Sequence, residues 1–170
     1  MNHYQALPNT IGMVGNCSSD LSGGRDMMST TDATDAQMQL RLRHQGARLL
    51  LAEDNAINRE IVLELLRDTG IVVELAEDGL EAFEKVLTNA YDLILMDVQM
   101  PHMNGLEAVR AIRDLIPWET KPIVAFTGNT FPEDRIACTE AGMNDFIAKP
   151  LNPAFLYATL LKWLPVSGMA

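Results

Sequence analysis

The run Leu93-Ile94-Leu95-Met96 constrains this chain more than any other feature: four apolar residues without alternation, closed by Asp97. A strand that meets water on one face alternates apolar and polar side chains. An unbroken run therefore belongs to a strand covered on both faces, as in a parallel sheet between two layers of helices. Leu49-Leu50-Leu51-Ala52 is a second apolar run, ending in Glu53 and Asp54, and Ile123-Val124-Ala125-Phe126 is a third, ending in Thr127.

Between these runs the apolar residues recur at helical spacing, so the order reads as alternating strands and helices, the pattern of a doubly wound α/β sheet. Ile57, Ile61, Leu65 and Leu66 predict a first helix, which Gly70 stops at a left-handed position. Ile71 to Ala76 reads as a second strand, and Glu74 between Val73 and Leu75 marks it as an edge strand with one wet side. Leu80, Phe83, Val86 and Leu87 predict the next helix, and Leu106, Val109, Ile112 and Ile116 the one after it. Pro132 to Ala141 reads as a helix stopped by Gly142, Phe146 to Ala148 as a short fifth strand, and Pro153 to Leu164 as a last helix burying Leu156, Leu160 and Trp163 or Leu164. No internal repeat occurs, and no second folded domain is expected within the residues after 165.

Residues 1 to 46 differ in character. Ser18-Ser19, Gly23-Gly24 and Ser29-Thr30-Thr31-Asp32 punctuate a stretch whose apolar residues lack a period, which reads as a disordered tail or linker. Within it, Gln37 to His44 carries Leu40 and Leu42 between arginines, and a solvated linker is preferred there over a short helix. The expected division is a tail over 1–46, one folded domain over 47–166 and a short tail over 167–170. A net charge of −10 and a pI near 4.6 disfavour direct nucleic-acid binding, which needs clustered lysine and arginine. Cys17 and Cys138 form neither a CxxC pair nor a Cys/His cluster and read as free thiols of a reducing compartment. With no leader-like start and no apolar run of about 18 residues, the chain is expected to be cytoplasmic and without a membrane segment.

In open parallel sheets, ligands bind beyond the carboxyl ends of the strands, where strand order reverses. Glu53, Asp54, Asp97, Thr127 and Lys149, the last in Ala148-Lys149-Pro150, all fall at such ends. Carboxylates gathered there repel one another unless a cation sits among them, which suggests a Mg2+ and phosphoryl site. Taken singly each residue has a plainer explanation: Asp54 as the cap of the first helix, Thr127 as a turn residue, Lys149 as a surface lysine, Phe146 as a core aromatic.

The ordered set Glu53-Asp54-Asn55, Met96-Asp97-Val98-Gln99-Met100-Pro101, Gly105, Phe126-Thr127-Gly128 and Ala148-Lys149-Pro150 resembles the receiver domain of two-component response regulators over about residues 47 to 165. Asn55-Ala56-Ile57-Asn58-Arg59-Glu60 and Ala141-Gly142-Met143-Asn144-Asp145-Phe146 are most similar to receivers attached to hybrid histidine kinases. The resemblance implies a flavodoxin-like five-stranded parallel sheet, strand order 2-1-3-4-5, with helices on both faces. It further implies that Asp97 accepts a phosphoryl group from a phosphohistidine of a histidine kinase or histidine phosphotransfer domain. Mg2+ is then held by Asp54, Asp97 and the backbone carbonyl of Gln99, with Glu53 acting through water. Lys149, the Thr127 hydroxyl and the amides of Val98 and Gly128 receive the phosphoryl charge. Thr127 and Phe146 act as the switch, remodelling the face built from the helix over 132–141, the fifth strand and the last helix. Lys149-Pro150 is expected to be cis, which X-Pro bonds adopt at small cost.

Gly128 stands where this family more often has alanine, and Asn104 where it often has aspartate. Gln99 and Asn129 occupy positions that tune phosphoryl lifetime in the family. His102 reads as an exposed loop histidine, and His3 and His44 lack the surroundings of a phosphodonor box. Outlets consistent with the sequence are a partner protein, a homodimer through the last helices, or onward transfer to another histidine domain. The alternative function is a Mg2+-dependent phosphohydrolase with an aspartyl-phosphate intermediate, but such enzymes usually carry a second aspartate where this chain has Gln99. A phosphate-independent interaction module would have lost the acidic pair or Lys149, and neither GxGxxG nor GxxxxGK[ST] follows the first strand to suggest a nucleotide site.

Overall fold

The computed structural model describes residues 30 to 129 and 131 to 166, and the unbroken apolar runs are the buried strands of one parallel sheet. In chain order the elements are α1 (Thr30–Arg43), β1 (Arg48–Ala52), α2 (Ala56–Leu66), β2 (Val72–Ala76), α3 (Gly79–Thr88), β3 (Leu93–Asp97), α4 (Gly105–Arg113), β4 (Ile123–Thr127), α5 (Pro132–Ala141), β5 (Asp145–Ala148) and α6 (Pro153–Trp163). The five strands lie in the order β2-β1-β3-β4-β5, all neighbours parallel, as the resemblance implies.

Alternation along each strand divides the core in two. Leu49, Leu51, Leu93, Leu95, Val124 and Phe126 face α2 and α6, whereas Leu50, Ala52, Ile94, Met96, Ile123 and Ala125 face α3, α4 and α5. Every residue of β3 and β4 is buried, which is why their sequences do not alternate. At about 1.5–3 kcal/mol for each large aliphatic side chain taken from water, these two layers are the main source of the fold's stability. β2 lies at the edge with Val72 exposed, in keeping with the polar Glu74 in its middle.

Polar side chains cap the starts of α2, α3, α4 and α6, and glycines mark two of the stops. Asn55 Oδ1 accepts the amides of Ile57 and Asn58 and caps α2, so the plainer explanation of Asp54 as that cap does not hold. Asn104 and Glu107 form a reciprocal capping box at α4, and Asn152 caps α6 ahead of Pro153. Gly70 and Gly142 adopt left-handed φ of 77° and 100°, the stops predicted for the first and fourth helices of the sheet.

Three sequence expectations are corrected. Residues 30 to 46 are not a disordered tail: α1 packs against α6, with Ala36 and Leu40 buried. His44, also buried, donates from Nδ1 to the Pro165 carbonyl at 2.8 Å. The stripe Ala33, Ala36, Leu40, His44 is narrow and partly polar, and it becomes an interface through packing against elements distant in sequence, chiefly α6. The rest of the expected tail, with His3 and Cys17, and the tail over 167–170 lie outside the described residues. Second, α4 ends at Arg113, and Ile116 is 83% exposed in a short 3-10 turn, because in a continued α-helix Pro117 would have no amide for the Arg113 carbonyl and its ring would clash with it. Third, α2 turns Val62 and Leu66 to the sheet and leaves Ile57 and Ile61 exposed.

Candidate functional site

Because all strands run the same way, the residues that end β1, β3, β4 and β5 meet at one edge of the sheet. Glu53 and Asp54 follow β1, Asp97 closes β3, Thr127 closes β4 and Lys149 follows β5. One carboxylate oxygen from each of Glu53, Asp54 and Asp97 falls within 4.8 Å of the others. Glu53 is fully buried and Asp97 nearly so, while Asp54 is exposed at the rim.

Lys149 is the cation among them. Its Nζ lies 2.7 Å from Asp97 Oδ2 and 2.7 Å from Glu53 Oε2, and it sits over the Phe126 ring at 4.7 Å. The Lys149-Pro150 bond is cis, as expected. Burial alone would make the ammonium easier to deprotonate, but its bonds to Asp97 and Glu53 outweigh this and hold its pKa above the usual lysine value. Burial pushes the Asp97 carboxyl up, and the Lys149 ammonium and Gln99 amide offset that only in part.

Three carboxylates against one ammonium leave a formal excess of two negative charges in this pocket. Glu53 Oε2 has the ion pair with Lys149 but no hydrogen bond of good geometry, and it is buried. An all-oxygen donor set with that charge and an under-satisfied buried oxygen fits a small, hard divalent cation.

The other predicted residues border this cluster. Asp97 Oδ1 accepts the Gln99 amide at 3.1 Å, and the Val98 carbonyl accepts the Gly105 amide at 3.0 Å, which folds the loop after β3 back over its strand. Thr127 Oγ1 is buried and accepts the Asn129 amide at 3.1 Å, so its own O–H proton is free to be donated elsewhere. An added Cβ at Gly128 would meet nothing within 4 Å. Phe146, on β5, stands apart from the carboxylates: it is half-buried beneath the Arg135 guanidinium, 3.8 Å above its ring, in a groove of about 510 Å3 between α5, β5 and α6. His102 is exposed as expected, with Nδ1 2.9 Å from Asp78 Oδ2.

Two residues of the site are absent from the candidates named by sequence. Asn58 donates from Nδ2 to Glu53 Oε1 at 3.0 Å, and Arg59 donates from Nη1 to the carbonyls of Glu53 and Asp54 at 2.8 and 3.0 Å. Both stand in the stretch Asn55 to Glu60 that is similar to hybrid-kinase receivers, but spacing alone gave them no role.

A doubly wound parallel sheet with an acidic pocket, a threonine and a lysine at its carboxyl edge defines a narrow class of α/β domains. Residues 49–161 match the family model of the response regulator receiver domain, and the chain belongs to that family, the phosphoacceptor signalling domain of two-component systems. It is 42% identical over 126 residues to hybrid signal transduction histidine kinase B of Dictyostelium discoideum, an alignment covering 68% of this chain and 6% of that protein. The receiver domain of a sensor histidine kinase from Pseudomonas aeruginosa, solved with a magnesium ion in its active-site cleft, is 40% identical. It superposes with a TM-score of 0.66 over 69% of this chain and 97% of its own. The receiver domain of a Saccharomyces cerevisiae response regulator, solved bound to its histidine phosphotransfer protein, is 31% identical with a TM-score of 0.66, over 70% of this chain and 89% of that one. The chain spans less than a fifth of the curated relatives it matches, such as 6% of one hybrid kinase and 14% of a sensor protein from Pseudomonas syringae. Among the described residues, no helix is long and apolar enough to cross a membrane.

Proposed function

We propose that Asp97 is the phosphoacceptor of this domain, receiving its phosphoryl group from a phosphohistidine on a histidine kinase or histidine phosphotransfer partner. The observation that carries this is the nearly buried Asp97 carboxylate, 2.7 Å from Lys149 at the carboxyl end of the central strand and within 4.8 Å of two further carboxylates. A carboxylate oxygen of Asp97 forms the new phosphorus–oxygen bond as the phosphorus–nitrogen bond of the donor breaks. The released imidazole keeps the electron pair and takes up a proton from solvent.

Asp54, Asp97 and the Gln99 carbonyl hold Mg2+ in this reading, with Glu53 acting through a water. When bound, the ion neutralises phosphoryl oxygens and the carboxylates together. The chain's own groups do the rest. Lys149 Nζ, already beside Asp97, receives charge on the transferring group, and the Thr127 O–H and the amides of Val98 and Gly128 are the remaining donors.

The same contacts supply the switch. A phosphoryl oxygen on Asp97 draws the Thr127 hydroxyl, and Phe146 on the adjoining strand turns into the space it leaves, reshaping the groove between α5, β5 and α6. That face is the proposed outlet, to a partner or to a second copy of the chain. The receiver unit is assigned to residues 47–166, with α1 docked on it from outside the family-matched span. The free, buried thiol of Cys138 suits a cytoplasmic setting.

Phosphorylated histidine phosphotransfer domains, tried as a panel with Mg2+, are expected to pass label to the full chain and none to Asp97→Asn. If every donor keeps its label while a small acyl phosphate still modifies Asp97, phosphohistidine is not the source.

A further inference from the structure

The first turn of α2 does more than begin a helix. Glu53 is fully buried, and a buried carboxylate on a flexible side chain needs its rotation fixed before it serves a cation. Its Oε1 is occupied twice, by the Asn55 amide at 3.2 Å and by Asn58 Nδ2 at 3.0 Å. Oε2 is thereby turned to the other side, where it lies 2.7 Å from Lys149 Nζ, the same atom that pairs with Asp97. Asn58 thus selects which oxygen of Glu53 looks into the pocket.

Arg59 acts on the backbone. Its Nη1 bridges the carbonyls of Glu53 and Asp54, while Nη2 lies 3.1 Å from Glu77 Oε1 in the loop after β2. The Arg59 side chain is only 14% exposed, so its carbonyl contacts lie against the protein, whereas Glu77 stands at the surface. The Nη1 end of the planar guanidinium, spanning two consecutive carbonyls, fixes the peptide that carries Asp54, whose own side chain is exposed and has no comparable anchor. Lysine, a point charge on a flexible stem, lacks the planar fork that aims these N–H groups at the two carbonyls.

We infer that Asn58 and Arg59 are positioning residues of the cation site, Asn58 by locking the Glu53 carboxylate and Arg59 by locking the backbone of Glu53 and Asp54. The inference rests on the reading that this acidic cluster binds Mg2+. Outer-layer partners of metal ligands change affinity about 10- to 100-fold when removed, and the lower end applies here because Glu53 acts through water.

The test is Mg2+ titration of the full chain by calorimetry, without phosphodonor, for the native protein, Asn58→Ala, Asn58→Leu, Arg59→Lys and Glu77→Gln. Asn58→Leu keeps the branched shape and the number of side-chain heavy atoms while removing the donor, so it covers the case in which the alanine variant folds poorly through a cavity. Both Asn58 variants are expected to bind Mg2+ about tenfold more weakly, and their Mg2+-free unfolding midpoints read separately the cost of the hydrogen bond lost at the buried carboxylate. Arg59→Lys is expected to weaken binding several-fold, and Glu77→Gln, which removes only the exposed ion pair, to leave it unchanged. Native binding with the Asn58 and Arg59 variants within twofold of it overturns the positioning role alone. A loss in Glu77→Gln equal to that in Arg59→Lys overturns the backbone role of Arg59. Absence of Mg2+ binding by the native chain overturns the underlying reading and this inference with it.

Discussion

Lys149→Ala is expected to lower the rate of phosphorylation by a small acyl phosphate at least about a hundredfold, the usual effect of removing one pre-positioned donor from a developing oxyanion. It should also destabilise the Mg2+-free protein. Lys149 Nζ is within 2.7 Å of two carboxylates, one fully buried and one nearly so, and its own side chain is only 20% exposed. Truncation leaves both acids buried beside each other without a counter-charge, a change that costs about 3–5 kcal/mol for a fully buried pair. The pocket opens to solvent at Asp54, so about 2–3 kcal/mol is the expected loss here. Mg2+ should restore part of that stability but not the rate. A cation can replace the ammonium's charge among the carboxylates, and ligand binding to the folded state adds stability by mass action. Denaturant melts with and without Mg2+ separate the two effects. A variant with native stability and a native phosphorylation rate would show that Lys149 is only a surface lysine.

Gly105→Ala is expected to be among the most damaging single substitutions in the chain. A Cβ there would lie 2.0 Å from the Asp97 carbonyl oxygen, 2.9 Å from its carbonyl carbon and 3.0 Å from Val98 Cα. All three are backbone atoms, which no side-chain rotation relieves. The strand end that carries Asp97 must therefore move, at about 3 kcal/mol or more. Because the displaced backbone is that of Asp97 itself, phosphorylation should fall along with the unfolding midpoint. Gly128→Ala is the matched control: its Cβ would enter open space and its φ is not left-handed. It should keep native phosphorylation and gain up to about 0.4–1 kcal/mol from a less flexible unfolded chain. Equal effects of the two substitutions would contradict the close approach drawn between α4 and β3.

The sheet was legible because its residues carry their environment in their own chemistry. Leu93 to Met96 lacks polar alternation since both faces are covered, and the strand ends follow at once from Asp97, Asp54 and Thr127. Gly70 and Gly142 marked helix stops because left-handed backbone there favours glycine. Features that depend on a distant partner were not legible. α1 has Ala33, Ala36 and Leu40 on a thin stripe, and the more conspicuous Leu42 is 75% exposed. Nothing local says that α6 will cover one and not the other. On α2, apolar residues occupy two stripes, and spacing alone does not decide that Val62 and Leu66 face the sheet while Ile57 stays outside. The end of α4 was readable in principle, since an α-helix through Pro117 would leave the Arg113 carbonyl without an amide.

The site divides in the same way. The five chemistry-bearing residues Glu53, Asp54, Asp97, Thr127 and Lys149 follow strands, and parallel topology alone brings them together. Asn58 and Arg59 reach the site from within a helix, and their aim depends on α2 starting after Asn55 and not after Asp54. A one-residue shift of that cap turns both side chains by about 100° around the helix.

The acceptor role of Asp97 is tested most directly by the intact mass of the full chain after incubation with Mg2+ and an acyl phosphate. The native protein is expected to gain the mass of one phosphoryl group, located on Asp97 by fragmentation and lost when Mg2+ is chelated beforehand, and Asp97→Asn to gain none. An unmodified native protein, or an Asp97→Asn variant modified to the same extent, would contradict the assignment.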